Sequence, residues 1–289
     1  MGVARMILVT GAGGTVGSAL LDELSALGHQ PRRAFHSPAK TALASADGLD
    51  AVTIDFGQPD TLPAAMAGVQ TVFLLGTSGP SQPEHEGNMV AAARAAGVRR
   101  IVKLSAWRAD EDLTPIGRFH HASEQAVRTS GLAWTFLRPN FYLQNFTRRL
   151  AASIRDTGGF AQLASDAPIA FVDARDVAAV AARVLVEPGH DEQAYELTGP
   201  AALTYAEAAT AIGKVLGQPV VFRGLTAAQA RAEMLADGIP AGFADILLEV
   251  SLAYQHGGAD RLTTTVKDLT GREPISLERF VQDHREAFA

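Results

Sequence analysis

Glycines at three-residue spacing form the strongest chemical signal in the sequence. Residues 10–17 read Thr-Gly-Ala-Gly-Gly-Thr-Val-Gly, directly after an apolar run and before a segment with helical periodicity. In this context Gly11 permits a tight turn, Gly14 lets the backbone approach a pyrophosphate, and Gly17 lets a helix pack closely against a strand. The following helix N-terminus offers free N–H groups and a positive dipole to the same phosphates. The segment predicts a dinucleotide site; the alternative is a glycine turn without a ligand.

The elements that position this turn alternate between short apolar runs and helical segments. Six runs predict buried strands, at 6–10, 33–35, 51–55, 71–75, 101–105 and 134–138. Between the runs, apolar residues recur at helical spacing, as at Val16, Leu20, Leu24 and Leu27. This alternation predicts an α/β fold with a doubly wound (Rossmann) parallel sheet that carries helices on both faces.

The pattern becomes looser after residue 138. One more strand–helix unit is predicted to return to the sheet at 169–172 and 176–186, and mostly helical segments follow at 205–216, 227–236, 243–254 and 277–287. We therefore predict a dinucleotide-binding domain of residues 1–150 plus about 168–198. The smaller, mostly helical lobe comprises about 151–167 plus 199–289, and it binds the substrate in a cleft against the sheet.

Composition narrows the possible partners. The chain has 25 Lys and Arg residues against 31 Asp and Glu residues, and no basic run exceeds two residues, so we do not expect nucleic acid to bind. No stretch reaches the roughly 18 apolar residues of a membrane span. The apolar stretch at 1–21 is interrupted by glycines and has no plausible signal-peptide cleavage site. Cysteine is absent and the histidines form no cluster at metal-ligand spacing. We expect a soluble, cytoplasmic protein with no metal.

Further motifs follow the glycine turn in order. They are Asp-Phe at 55–56, Phe-Leu-Leu at 73–75, His-x-x-Asn at 85–88, Lys-Leu-Ser at 103–105, Gly-Leu-Ala-Trp-Thr-Phe-Leu-Arg-Pro at 131–139 and Val-Asp-Ala-Arg-Asp-Val at 172–177. Together with the Thr-Gly-x-x-Gly-x-x-Gly spacing, this series resembles the atypical short-chain dehydrogenase/reductases. It is most similar to the NmrA-like group and its type 2 NAD(P)H:quinone oxidoreductases. The resemblance covers nearly the whole chain.

The resemblance implies a set of cofactor contacts. They come from the glycine turn, from the ends of the third and fourth strands, and from the turn after the sixth strand, which faces the nicotinamide in the relatives. The implied residues are Gly11, Gly13, Gly14, Thr15, Val16, Asp55, Phe56, Leu75, Gly76, Pro139, Asn140 and Phe141.

The end of the second strand bears on the choice between NAD and NADP. A fold selective for NAD usually carries an acid about 20 residues past the glycines, where it holds the ribose 2′-hydroxyl. Here residues 34–37 read Ala-Phe-His-Ser, with no acid. The quinone reductases that this chain resembles commonly place Arg at the position of His36, and neutral imidazole is a poorer phosphate partner. Arg33 and Lys40 supply charge nearby. We expect NADP(H) to be favoured over NAD(H), with contacts from His36 and Lys40; the alternative for His36 is a solvated strand end.

The usual catalytic pair of short-chain dehydrogenases is missing. Those enzymes use Tyr-x-x-x-Lys, and none of the four tyrosines here has Lys four residues later. At the corresponding place, His120 and Glu124 have i, i+4 spacing on the border of an apolar face formed by Phe119, Ala122, Ala126 and Val127. The NmrA-like relatives often show His-x-x-x-Glu there. We predict that His120 contacts the nicotinamide ribose or the substrate oxygen and that Glu124 orients it. The alternative is an exposed helix pair.

Residues near the ends of the fifth and sixth strands are predicted to line the substrate cleft. Ser105 is placed where short-chain dehydrogenases keep a carbonyl-binding serine, and Trp107 follows as a wall of the cleft. Phe141 and Tyr142 could stack on a flat substrate, with Asn145 beside them. The alternative for Ser105 is a strand-end serine that bonds to the backbone. The alternative for Phe141 and Tyr142 is that they form the apolar start of the next helix.

The missing acid favours one class of acceptor. Reduction of an isolated ketone gains roughly 10²–10⁴-fold from a general acid. A quinone instead gives a phenolate with a pKa of about 10, which can leave deprotonated. We therefore predict an NAD(P)H-dependent oxidoreductase that transfers hydride to a quinone-like or conjugated aromatic carbonyl acceptor. The alternatives are an NAD(P)-sensing regulator with little turnover and a ketoreductase whose substrate supplies its own acidic hydroxyl. Nothing in the sequence indicates an oligomeric state.

Overall fold

Seven parallel strands form the central sheet. The structure, a computed structural model, describes residues 6–288. Residues 1–5, which begin the segment considered above as a signal peptide, and Ala289 lie outside the described residues. The strands of the sheet are β1 (Met6–Val9), β2 (Arg32–Phe35), β3 (Ala51–Thr53), β4 (Val69–Leu74), β5 (Arg100–Leu104), β6 (Ala133–Pro139) and β8 (Gln193–Leu197). Their order is β3-β2-β1-β4-β5-β6-β8, which confirms the predicted doubly wound fold.

Helices connect the strands and cover both faces of the sheet. They are α1 (Thr15–Ala26), α2 (Pro38–Ala46), α3 (Leu62–Ala65), α4 (Gln82–Ala95), α5 (Pro115–Arg128), α6 (Ala151–Thr157), α7 (Ala174–Val186), α8 (Tyr205–Leu216), α9 (Ala227–Ala236), α10 (Ala241–Ala253), α11 (Thr265–Thr270), α12 (Leu277–Asp283) and α13 (Arg285–Phe288). Two 3₁₀ segments (Pro59–Thr61 and Ala109–Glu111) and a π-helical segment (Phe146–Leu150) lie between them. Across residues 6–288, every helix is too short or too polar to cross a membrane.

The alternation of side chains along the strands builds two apolar layers. Ile7 and Val9 pack in one buried layer with α1 and α7, which we call the sheet cluster. Leu8 between them packs in the other layer, on the opposite face, with α3 and α4. Successive residues of a strand point to opposite faces, so a strand buried on both faces is apolar at every position. This explains why the strands could be predicted as continuous apolar runs.

A second apolar cluster and a two-stranded sheet lie outside the central sheet. Phe146, Phe160, Ile212 and Phe280 belong to this cluster, which also contains residues of α6 and α8. Strands β7 (Gly159–Leu163) and β9 (Val221–Leu225) pair in parallel beside it, and the sequence analysis predicted neither. Helices α8 and α9 have the predicted bounds. The division into two lobes stays a prediction.

The predicted returning strand at 169–172 is wrong. This segment forms only single bridges, from Ile169 to Leu203 and from Val172 to Tyr142. The seventh strand of the sheet is β8, which pairs with β6. Segment 169–172 is apolar because it is buried between two clusters. Ile169 packs in the second cluster, and Val172 packs in the sheet cluster with α1 and α7. The edge strand β8 has the less apolar sequence Gln-Ala-Tyr-Glu-Leu.

Candidate active site

The glycine turn joins β1 to α1 at the carboxyl end of the sheet. Gly11 has a φ of +62° and a Cβ at Gly17 would lie 2.1 Å from the Gly11 carbonyl oxygen, so both positions need glycine for the fold itself. Gly14 differs, because its φ of −92° suits any residue and a Cβ there would lie 3.2 Å from the Gly11 oxygen. Thr10 fixes the turn to β4, since its hydroxyl oxygen accepts from the Leu75 N–H at 2.7 Å.

A cleft of about 650 Å³ runs along the carboxyl ends of the strands on either side of this turn. It lies where β1 and β4 are neighbours, the point at which the strand order reverses and where doubly wound sheets bind ligands. The predicted cofactor contacts that line it are Gly11, Gly13, Gly14, Thr15, Val16, His36, Lys40, Asp55, Phe56, Leu75 and Gly76. The predicted substrate contacts Tyr142 and Asn145 line it too, and so does His85 of the His-x-x-Asn motif. Thr77, Gln144 and Arg148, which the sequence analysis did not single out, also line it.

The turn after β6 does not line the cleft in the way the resemblance implied. Asn140 is buried, its amide donates to the Ala259 carbonyl at 2.8 Å, and its side-chain oxygen accepts from the Phe141 N–H. The Phe141 ring packs edge-to-face on Tyr254 at 5.6 Å. Pro139, Asn140 and Phe141 are absent from the cleft wall. Their contacts attach the C-terminal helical region to the end of β6.

Trp107 makes a similar attachment. Its ring is buried in the second cluster, and its indole N–H donates to the Gly258 carbonyl at 2.9 Å. Arg108, which follows it with a φ of +51°, donates to the same carbonyl. Trp107 does not line the cleft described above, because its ring packs in the second cluster and its indole N–H is bonded to Gly258. Its predicted contact with the substrate stays a prediction.

The buried face of α5 differs from the predicted one. Val127 is buried as predicted, but Ala122 is exposed and Phe119 is only half-buried, and His120, Ser123 and Glu124 are buried instead. The alternative of an exposed His120–Glu124 pair is excluded by this burial. Periodicity predicted that the apolar side chains of α5 face inward. In the structure His120 and Glu124 also face inward, where they contact polar groups of α4, β5 and β6.

His120 belongs to a buried polar cluster that contains Lys103, Glu86, Gln82 and Ser78. The Lys103 amine lies 2.5 Å from a Glu86 oxygen and 3.3 Å from His120 Nδ1. The Gln82 amide nitrogen lies 3.0 Å from the same Nδ1. Both groups donate, so Nδ1 accepts and the ring proton lies on Nε2, which donates to Ser78 Oγ at 3.2 Å. Burial first, and then the neighbouring Lys103, lower the pKa of His120 well below its usual value. His120 is therefore a neutral imidazole whose proton is directed at Ser78.

Glu124 does not orient His120, contrary to the prediction. Its carboxylate accepts from the Ser105 hydroxyl at 2.6 Å and forms a two-bond pair with the Arg138 guanidinium at 2.9 and 2.6 Å. Arg138 also pairs with Asp110 at 2.7 Å. Because the Ser105 hydroxyl donates its hydrogen bond to Glu124, Ser105 presents only acceptor lone pairs to any further partner. The predicted carbonyl-binding role of Ser105 would need this proton to turn away from Glu124.

Lys103, Glu86 and Arg138 are charged residues of these two networks to which the sequence analysis gave no role. A signal was present, because Lys103 lies within the apolar run of β5 and Arg138 within that of β6. A charged side chain in a strand that is buried on both faces requires a buried partner. That partner had to come from the covering helices, which carry Glu86 and Glu124.

The electrostatics of the cleft fit the phosphates of a dinucleotide. Helix α1 begins at Gly14 without a side-chain cap, and its first turn has no acid. The Lys40 amine lies over the turn, 3.1 Å from where a Cβ of Gly13 would be, and Arg148 donates to the Thr15 hydroxyl. Among residues 6–288, no carboxylate lies within ion-pair distance of Lys40 or Arg148. An uncapped helix N-terminus beside two unpaired cations is a site for anions.

Fold and cleft together define a doubly wound protein with a dinucleotide-type cleft, and comparison with known proteins gives its family. Residues 11–188 match the family described as NAD(P)H-binding, and the chain belongs to that family. The chain is 35% identical to the NAD(P)H azoreductase of Xenophilus azovorans over 98% of this chain and 99% of that protein. It is 31% identical to quinone oxidoreductase 2 of Escherichia coli over 96% and 97% of the two chains.

Solved structures agree with this assignment. The NADPH complex of an NADPH-dependent quinone oxidoreductase from Escherichia coli matches with a TM-score of 0.88 and 30% identity, covering 97% of this chain and all of that one. The NADP(H) complex of the triphenylmethane reductase from Citrobacter matches with a TM-score of 0.87 and 26% identity over 96% and 99% of the two chains. The resemblance to NmrA-like short-chain reductases is confirmed, and the protein is an NAD(P)H-dependent oxidoreductase.

Proposed function

We propose that this protein is an NADPH-preferring reductase of quinones and related electron-poor aromatic acceptors. One observation carries the choice of acceptor: the proton donors near the predicted substrate end are held in internal hydrogen bonds or retain their protons. The relatives named for azo-dye and quinone reduction support the same class of acceptor.

The strand order supports one orientation of the cofactor in the cleft. The end of β2, where His36 lies, is the place at which such folds contact the adenosine ribose. The opposite end of the cleft, lined by Leu104, Tyr142 and Asn145, then faces the nicotinamide and the acceptor. Bound NAD(P)H supplies the hydride. Residues of the chain bind the cofactor, exclude water and orient the acceptor.

Preference for NADPH rests on the charges at the adenosine end. The amino end of α2 lies there, with Ser37 as its cap, and His36 and Lys40 line the cleft beside it. A 2′-phosphate would gain from the helix dipole and from the Lys40 charge, whereas a 2′-hydroxyl gains little from either. Asp55, the acid that lines this end, accepts instead from Gly57 N–H and Gln58.

Two candidates for a proton donor remain, and neither is a free acid. The Tyr142 hydroxyl is buried, no protein group in the described chain bonds to it, and burial raises its pKa above the usual range, so it holds its proton. His120 is neutral and directs its proton to Ser78, which follows the cleft-lining Thr77. In this arrangement the His120 proton would reach the cleft through the Ser78 hydroxyl. An acceptor whose reduced form leaves as a phenolate and takes its proton from water avoids this route.

Cofactor oxidation measured against several acceptors tests the proposal. NADPH consumption is followed with a benzoquinone, a naphthoquinone, an azo dye and an unactivated aromatic ketone. We expect turnover with the quinones, slower turnover with the dye and the least with the ketone. Turnover of the ketone at the rate of the quinones would contradict the proposed acceptor class. Micromolar NADPH binding without turnover of any acceptor would favour a dinucleotide sensor instead.

A further inference from the structure

Arg148 is a cation at the mouth of the cleft that neither the sequence analysis nor the family match assigns. It lies in the π-helical segment Phe146–Leu150, directly after the cleft-lining Gln144 and Asn145. Its guanidinium reaches across the cleft and donates to the hydroxyl of Thr15, a residue 133 positions away in the chain. Short π-helical segments inside helices are frequent at functional sites. The contact joins the two walls of the cleft over the glycine turn.

The electrostatics of this contact are unfavourable on their own. Thr15 is the first residue of α1, so the Arg148 guanidinium lies at the positive end of the helix dipole. The first turn of α1 has no acid, and among residues 6–288 no carboxylate pairs with Arg148. A cation beside the positive end of a helix is stabilised when an anion lies between the two. The position in the cleft at which that anion would lie is next to Gly14 and Thr15, where doubly wound folds place a pyrophosphate.

We propose that Arg148 binds the pyrophosphate of the dinucleotide and closes the mouth of the cleft over it. This inference rests on the proposed dinucleotide site and adds to it a residue from the opposite wall. The guanidinium leaves the Thr15 oxygen and donates to a phosphate oxygen, and the Thr15 hydroxyl can donate to the same group. Because NADPH and NADH share the pyrophosphate, Arg148 contributes equally to both. His36 and Lys40, on the adenosine side of the glycine turn, discriminate between them.

Binding measurements on purified variants test this assignment without relying on turnover. Dissociation constants of NADPH and NADH are measured by titration calorimetry for the wild type, Arg148→Gln, Arg148→Lys and Arg149→Gln. Arg149 is the matched control, because it is the next residue, is also exposed, and does not line the cleft. We expect Arg148→Gln to weaken both dinucleotides at least tenfold and by the same factor, Arg148→Lys to restore part of the loss, and Arg149→Gln to change neither. The thermal unfolding midpoint without dinucleotide should be unchanged in all three variants, since Arg148 is exposed.

The outcomes separate this inference from the proposed function. If the wild type binds neither dinucleotide, the proposed function fails. If the wild type binds both and Arg148→Gln binds them equally well, the Arg148 assignment alone is overturned. Loss of NADPH affinity with unchanged NADH affinity would also overturn it, because Arg148 would then contact the 2′-phosphate. Raising the salt concentration should weaken dinucleotide binding by the wild type more than binding by Arg148→Gln, because the variant lacks one charged contact with the pyrophosphate.

Discussion

Substitutions at Gly14 and Gly17, with Gly87 of α4 as a control, distinguish the effect of the glycine turn on dinucleotide binding from its effect on folding. Gly14→Val is the central change. The backbone of Gly14 suits a valine, and its Cβ would lie 3.2 Å from the Gly11 oxygen, a few tenths of an ångström inside ordinary contact. The fold therefore tolerates the side chain, at a cost of about 1 kcal/mol for an apolar residue at the N-cap. The branched side chain instead projects into the cleft that the pyrophosphate needs. We expect dinucleotide affinity to fall at least tenfold, about 1.4 kcal/mol.

Gly17→Ala should give the opposite result. Its Cβ would lie 2.1 Å from the Gly11 oxygen and 2.7 Å from the Gly11 carbonyl carbon, more than an ångström too close to the oxygen. Helix α1 must move away from β1, which disturbs the buried Val16 and Leu20 on its inner face. Overpacking of this kind costs roughly 1–3 kcal/mol or more. We expect a clear fall in the thermal unfolding midpoint, on the order of 2–4 °C for each kcal/mol.

Gly87→Ala is the control for both changes, because a Cβ on this residue of α4 would meet nothing within 4 Å. It should leave affinity unchanged and stability unchanged or slightly higher. The assay is calorimetric titration with NADPH beside thermal unfolding of the same preparations. A folded Gly14→Val variant with wild-type affinity would refute the placement of the pyrophosphate. A Gly17→Ala variant with wild-type stability would refute the account of helix packing.

Three further changes test the charges and protons of the site and the core. His36→Arg should tighten NADPH and leave NADH nearly unchanged, because only the 2′-phosphate gains a charge-assisted pair of hydrogen bonds; equal shifts in the two dissociation constants would place residue 36 away from the ribose. His120→Ala should lower quinone turnover about tenfold through lost positioning, and should lower turnover of a ketone, which needs a proton relayed from His120 through Ser78, by roughly 10²–10⁴-fold; equal losses near a thousandfold with both acceptors would make His120 a true acid. Asp176→Asn should stabilise the protein more at pH 7.5 than at pH 4.5, as judged by denaturant unfolding. Burial raises the pKa of Asp176 to about 6, above its unfolded value, so wild-type stability from this group is lost as pH rises from about 4 to 6. The same stabilisation at both pH values would contradict this shift.

The glycine turn and the strands of the sheet were predictable because local backbone requirements fix them. Gly11 needs a left-handed conformation and Gly17 a close approach, and both needs are visible as residue types. Strands buried on both faces appear as apolar runs whatever their partners are. The seventh strand, β8, was not predicted, because an edge strand is half exposed and its sequence lacks a continuous apolar run. Segment 169–172 has such a run because it lies in two apolar clusters, so the same signal gave the wrong element.

The polar partners in the site were not predictable from spacing on one helix. The i, i+4 spacing of His120 and Glu124 correctly places them on one face, but it does not determine which residues meet that face. Their partners lie on neighbouring elements, with Lys103 on β5 and Arg138 on β6. Such pairings depend on strand register and on helix placement, which a single sequence does not specify. The unexplained charges inside apolar strands were the available signal.

The two buried networks also explain why the chain can work without the usual tyrosine and lysine. Lys103 lies on β5 and Ser105 directly follows that strand two residues later, so their side chains point to the same face of the sheet, toward α4 and α5. Lys103 is paired with Glu86, and the Ser105 hydroxyl donates a hydrogen bond to Glu124. Each buried donor has a partner within the protein, and removing one partner would leave the other buried and uncompensated. Such networks stabilise the end of β5 and hold their protons firmly, which makes them poor proton donors to a substrate. An acceptor that needs only hydride, and takes its proton from water after it leaves, is the one that this arrangement serves best.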